Sequence, residues 1–77
     1  MPRAQYYVVF HQRQWRINLE GQHYGPYYTQ ADAIRAAVDA AHESGWNGHD
    51  AQVFVQGRDN RFRVEWTYGH DPYPPPG

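Results

Sequence analysis

The chain has 77 residues, 40% of them hydrophobic, no cysteine and a formal net charge of −1, which bounds it to one small domain without disulfides, cysteine-based zinc sites or thiol catalysis. Near-neutral charge argues against a strongly electrostatic nucleic-acid binder. No apolar run approaches the roughly 20 residues of a membrane helix, and no apolar leader opens the chain, so a small soluble module of the cytoplasm is expected.

Gln5 to Phe10 is rich in aromatic and β-branched residues and reads as a strand, apolar on both faces and therefore central or covered twice. After the polar break His11-Gln12-Arg13, Gln14 to Leu19 alternates, with Trp15, Ile17 and Leu19 on one face and Arg16 and Asn18 on the other. Period two with one wet face is the signature of an antiparallel strand, and the two segments form a hairpin. Glu20 to Tyr28 contains Gly21, Gly25 and Pro26 and reads as a loop with at most a short extended stretch.

Thr29 opens a helix. Its hydroxyl can accept an early backbone N–H, and Asp32 suits the positive end of the helix dipole. From Gln30 to Ser44, Ile34, Ala37, Val38 and Ala41 form one stripe, opposite Asp32, Arg35, Asp39, His42 and Glu43, and Gly45 is the expected stop. Ala51 to Gln56 reads as another strand, Gly57-Arg58-Asp59-Asn60 as a turn, and Arg61 to Thr67 as its partner, with Phe62, Val64 and Trp66 sharing a face. Residues 68–77 hold four prolines and cannot enter a sheet interior.

The expected fold is therefore α+β, a two-layer β-β-α-β-β domain over residues 1–67. It has a four-stranded, mainly antiparallel sheet, one helix on one face, and a proline-rich tail over residues 68–77. The expected core is Trp15, Ile17 and Leu19, then Ile34, Ala37, Val38 and Ala41, then Val53, Val55, Phe62, Val64 and Trp66.

The order of these motifs resembles a known family. Tyr6-Tyr7-Val8-Val9 precedes Trp15-x-Ile17, and Thr29-x-x-x-Ala33-Ile34 opens the helix. The second hairpin reads Val53-x-Val55-Gln56-Gly57-Arg58-Asp59-Asn60-Arg61, and Tyr68-Gly69-His70-Asp71-Pro72-Tyr73-Pro74-Pro75 closes the chain. Together they resemble the small bacterial proteins of the domain of unknown function 2188 family, over nearly the whole chain. The hairpin and the Tyr-Gly-x-Asp-Pro ending are the most specific parts. The resemblance implies this fold and a bacterial or phage source; it carries no activity, cofactor or catalytic residue.

Motifs for catalysis are lacking. Ser44 is the only serine and no Gly-x-Ser-x-Gly elbow surrounds it, while Thr29 is better used as a cap. The five histidines include no His-x-x-x-His pair, so no metal site is expected, and no cofactor. Asp50, Asp59 and Asp71 sit in expected turns. The glycines of Gly45-Trp46-Asn47-Gly48 follow the helix, where no N-terminus can use them for phosphate. Pro72-x-x-Pro75 could serve as a polyproline ligand, but is more simply a tail that packs Tyr68 and Tyr73 on the domain.

The open face of the sheet remains as the functional candidate, with Arg16, Asn18, Gln52, Phe54, Gln56, Arg61, Arg63 and Glu65 assigned to it. Because the first strand is apolar both ways, either Tyr7 and Val9 or Tyr6, Val8 and Phe10 must join them. The resulting apolar patch in a polar frame needs a cover, either the folded-back tail or a second copy packed sheet to sheet. All seven basic residues are arginine, never lysine. Coding bias accounts for that, but guanidinium groups interleaved with aromatics also suit stacked bases. The expectation is a non-enzymatic module that binds a protein partner or itself through this face; the alternative is a weak single-stranded nucleic-acid binder. No membrane partner is expected.

Overall fold

The computed structural model describes residues 3–76; residues 1, 2 and 77, at the ends of the expected domain and tail, lie outside it. The elements run β1 (Arg3–His11), β2 (Gln14–Leu19), β3 (Gln22–Tyr27), α1 (Gln30–Trp46), β4 (Asp50–Gln56) and β5 (Phe62–Thr67). They build one five-stranded sheet in the order β3-β2-β1-β4-β5, with α1 on one face. No helix among the described residues is long and apolar enough to cross a membrane.

Two features correct the expected four-stranded, mainly antiparallel sheet. The segment read as a loop is the fifth strand: β3 pairs antiparallel with β2 and forms one edge. Gly25 and Pro26 obscured it, yet an edge strand accommodates proline because the missing N–H can face outward. The sheet is also mixed. β1 and β4 run parallel at its centre, with Tyr7 opposite Phe54, because α1 carries the chain from the β3 edge back across the sheet.

Both hairpins at the start of the chain close through two-residue turns with positive φ at each central residue. Gln12 and Arg13 stand at 52° and 64°, and Glu20 and Gly21 at 52° and 81°. That mirror-image turn matches the twist of antiparallel strands. The third hairpin, β4 to β5, holds a bulge: Val53 pairs with Trp66, but the next residue, Phe54, pairs with Val64, so Glu65 is passed over.

The core joins one face of β1 (Ala4, Tyr6, Val8) and β4 (Ala51, Val53, Val55) to Ala33, Ala37, Val38 and Ala41 of α1, with Ile17 and Trp66 completing it. Trp15, Leu19 and Ile34 pack at its margin only partly buried, because α1 lies chiefly over the central β1–β4 pair. Phe62 and Val64, expected inside, are 45% and 52% exposed. The bulge is the cause. Once Glu65 is skipped, the side chains before it exchange faces.

Thr29 caps α1 as expected, its hydroxyl oxygen accepting the Asp32 N–H at 3.1 Å. Gly45 does not end the helix. It is buried inside the last turn, where a Cβ would fall within the ring of Tyr68. The stop is Gly48 (φ 96°), with the Gly48 N–H donating to the Gly45 carbonyl and the His49 N–H to that of Ser44. The Ser44 hydroxyl meets the buried Tyr6 hydroxyl at 2.6 Å, so this tyrosine's polar end is satisfied within the core.

Candidate functional site: the open face of the sheet

The face turned away from α1 carries the odd residues of β1 and the even residues of β2 and β4. Their register sets out two rows across the sheet. Asn18, Tyr7, Phe54 and Val64 lie side by side in one; Arg16, Val9, Gln56 and Phe62 form the next. Parallel pairing stacks Tyr7 on Phe54, with centroids 4.9 Å apart and planes inclined by 14°. Phe62, brought to this face by the bulge, meets Tyr7 edge-on at 5.3 Å and 83°. Such offset and T-shaped pairs are the favoured aromatic geometries. The result is a continuous apolar patch of Tyr7, Val9, Phe54, Phe62 and Val64.

Side-chain amides frame the patch. Gln52 donates to the Thr67 hydroxyl at 3.4 Å, Gln56 donates to Asn60 at 3.5 Å, and Gln5 accepts from the Tyr7 hydroxyl at 3.4 Å. Arg16 donates through Nη2 to Gln14 at 2.8 Å, but its Nε is buried without an acceptor. Two shallow hollows flank the Asn18–Tyr7 row. One, of about 480 Å³, contains Arg16 with Val9, His23 and Gln56. The other, of about 320 Å³, contains Glu20 with Arg3, Gln5 and Tyr7.

Of the residues assigned to this face from sequence, Arg16, Asn18, Gln52, Phe54 and Gln56 stand together on it. Arg63 does not: it pairs with core residue Val55 and so has the parity of the helix side. Arg61 shares that parity, closing the hairpin through its carbonyl to the Gly57 N–H at 2.8 Å. Glu65 is the bulged residue. Tyr7 and Val9, rather than Tyr6, Val8 and Phe10, are the first-strand residues of the patch. Alternation along β5 places Phe62 and Val64 on the other face, because only the bulge moves them here, and Glu20 lies in a segment whose glycines and proline read as a loop.

The tail lies elsewhere. Tyr68 packs on Gly45, and Tyr73 stacks on His42 with centroids 3.7 Å apart and planes at 12°. The Tyr73 hydroxyl donates to Asp39 at 2.7 Å, and this bond to a carboxylate raises its pKa above the usual 10.0. The Trp66 indole N–H donates to the Pro72 carbonyl at 2.9 Å, and the Thr67 N–H to the Asp71 carboxylate at 2.8 Å. All of these anchors except the Thr67 backbone belong to α1 and the helix side of β5. Tail cover of the open face, one of the two covers considered, is therefore incorrect for this fold. Asp39 and His42, which read as a solvated helix face, are its docking groups.

The histidines are dispersed: His42 is stacked beneath Tyr73, and His70 lies 3.7 Å from Asp71. Among the described residues no three histidine, aspartate or glutamate side chains gather in one place. The family model described as an uncharacterized protein conserved in bacteria (DUF2188) matches residues 6–68. No curated protein and no solved structure matches the chain.

Proposed function

Because the chain belongs to the uncharacterized bacterial family DUF2188, we propose its role from its surface: it is a small non-enzymatic interaction module that binds protein through the open face of its sheet. The observation that carries this reading is the uncovered Tyr7–Phe54–Phe62 cluster with Val9 and Val64, on the one face that neither α1 nor the tail protects. Contact of such surface with water is unfavourable by roughly 25 cal/mol per Å², so a partner that covers it gains that free energy. Aromatic rings, side-chain amides and the guanidinium groups of Arg3 and Arg16 dominate the face, with Glu20 and His23 apart in separate hollows, an arrangement that suits binding more than proton or group transfer. A cytoplasmic location accords with the complete lack of cysteine.

The nucleic-acid reading loses support once Arg61 and Arg63 turn to the helix side, for Arg16 and Arg3 are then the only arginines of β1, β2 and β4 on the face. A photoreactive benzophenone side chain placed at Phe54 decides between them in cells of the source bacterium. Protein adducts are expected there, and none from the same group at exposed Arg35 on the far side of α1. Equal adducts from both positions, or none from Phe54, would refute the proposal. Adducts to RNA or DNA, with oligonucleotide binding that weakens steeply from about 50 to 200 mM salt, would establish the alternative.

A further inference from the structure

We infer that the occupant of the open face is a second copy of this chain, packed sheet to sheet about a two-fold axis along the Asn18–Tyr7–Phe54–Val64 row, so that Arg16 of each copy pairs with Glu20 of the other. This rests on the proposal that the open face is an interaction surface, and adds the identity and orientation of the partner.

Charge complementarity carries the inference. In the β1–β2 register Tyr7 faces Asn18 and Val9 faces Arg16, and the same register carried to the turn puts Glu20 beside Gln5. Arg16 and Glu20 thus lie in one column, two residues to either side of Asn18, each roughly 7 Å from it along the strand direction. They occupy the two hollows that flank the row. Turning a second copy over about that row exchanges the hollows. Each cation then meets the other copy's carboxylate, while Tyr7 and Phe54 meet their own counterparts, the self-complementary arrangement a two-fold interface requires.

Among the described residues neither charged group has an oppositely charged partner. The Arg16 Nε is buried without an acceptor. Neither Arg16 nor Glu20 enters an ion pair among the described residues, where the one such contact is His70 with Asp71. A buried guanidinium nitrogen without an acceptor is uncommon in a finished structure. A carboxylate arriving from the facing sheet can pair with the guanidinium through its Nη groups. Arg3, which borders the Glu20 hollow, stands opposite Asp50 in the parallel register and is not required for the pairing.

The area sets the strength. Five strands about 4.8 Å apart and some six residues long present roughly 500 Å² of sheet in plan, below the ~800 Å² per partner of a standard interface. A reversible, concentration-dependent dimer is therefore expected, with its two sheets aligned within about 30° of each other.

Sedimentation velocity on the full chain from about 10 μM to 1 mM, a range chosen for a weak interface, tests this. The parent is expected to pass from monomer to dimer. Arg16→Glu and Glu20→Arg should each shift the midpoint at least tenfold toward monomer, and the double variant R16E/E20R should return it close to the parent's. The double variant also controls for misfolding, since it carries both substitutions. A parent that remains monomeric throughout, single variants that dimerise like the parent, or a double variant that stays monomeric would each overturn the two-fold pairing. If the parent is monomeric while the Phe54 probe captures a different protein, the second copy is ruled out and the interaction face stands.

Discussion

Gly45 shows how one position can serve packing against its own helix propensity. Glycine inside a helix costs about 1 kcal/mol relative to alanine, so propensity alone favours Gly45→Ala. Here the ring of Tyr68 occupies the space of the missing Cβ, and forcing a methyl into a packed site typically costs 1–3 kcal/mol. The two effects together are expected to lower stability by up to about 2 kcal/mol in urea denaturation. A variant more stable than the parent would show that Tyr68 does not sit on the helix. The helix continues two residues past Ser44, and the left-handed residue that follows its end is Gly48 rather than Gly45.

Among the elements, β5 is where alternation and structure diverge. Phe62, Val64 and Trp66 read as one face, but the bulge at Glu65 separates them, leaving Trp66 buried at 2% exposure and Val64 exposed at 52%. Truncations should expose that difference. Trp66→Ala is expected to cost about 3–5 kcal/mol, most of the stability of so small a domain, whereas Phe62→Ala and Val64→Ala should each cost less than about 1.5 kcal/mol. Three losses of similar size in thermal or urea unfolding would mean that β5 alternates without a bulge. By contrast, β1 is informative from sequence: a strand apolar on both sides reads as central or covered twice, and it lies third of five.

For the molecule as a whole, the helix layer and the tail share one side, leaving the opposite face of the sheet uncovered. The tail closes over Trp66 through the Pro72 carbonyl, the Asp71 carboxylate and Tyr73 on His42. Deleting the residues after Gly69 removes the acceptors for two N–H donors and one aromatic cover. It should therefore destabilise the domain by about 1–3 kcal/mol. Because the tail is not on the open face, the deletion should leave the dependence of mass on concentration unchanged in light scattering. Increased association on truncation would show that the tail guards the sheet after all.

Periodicity and capping chemistry determined much of this protein in advance. Thr29 and the alanine stripe specify α1, Gln14–Leu19 specifies β2 with its wet Arg16–Asn18 side, and the Gln52-x-Phe54-x-Gln56 pattern specifies the side that β4 gives to the open face. Those signals are local, arising from side-chain spacing along a few turns or residues of backbone. What the tertiary structure decided was non-local. Pairing partners made an edge strand of Gln22–Tyr27 despite Pro26, and the helical crossover made β1 and β4 parallel, which set Tyr7 on Phe54. A single skipped residue exchanged Phe62 and Val64 for Arg61 and Arg63 on the candidate surface. No spacing within β5 encodes that exchange, because a bulge is fixed by the register against the neighbouring strand and by Trp66 seeking the core.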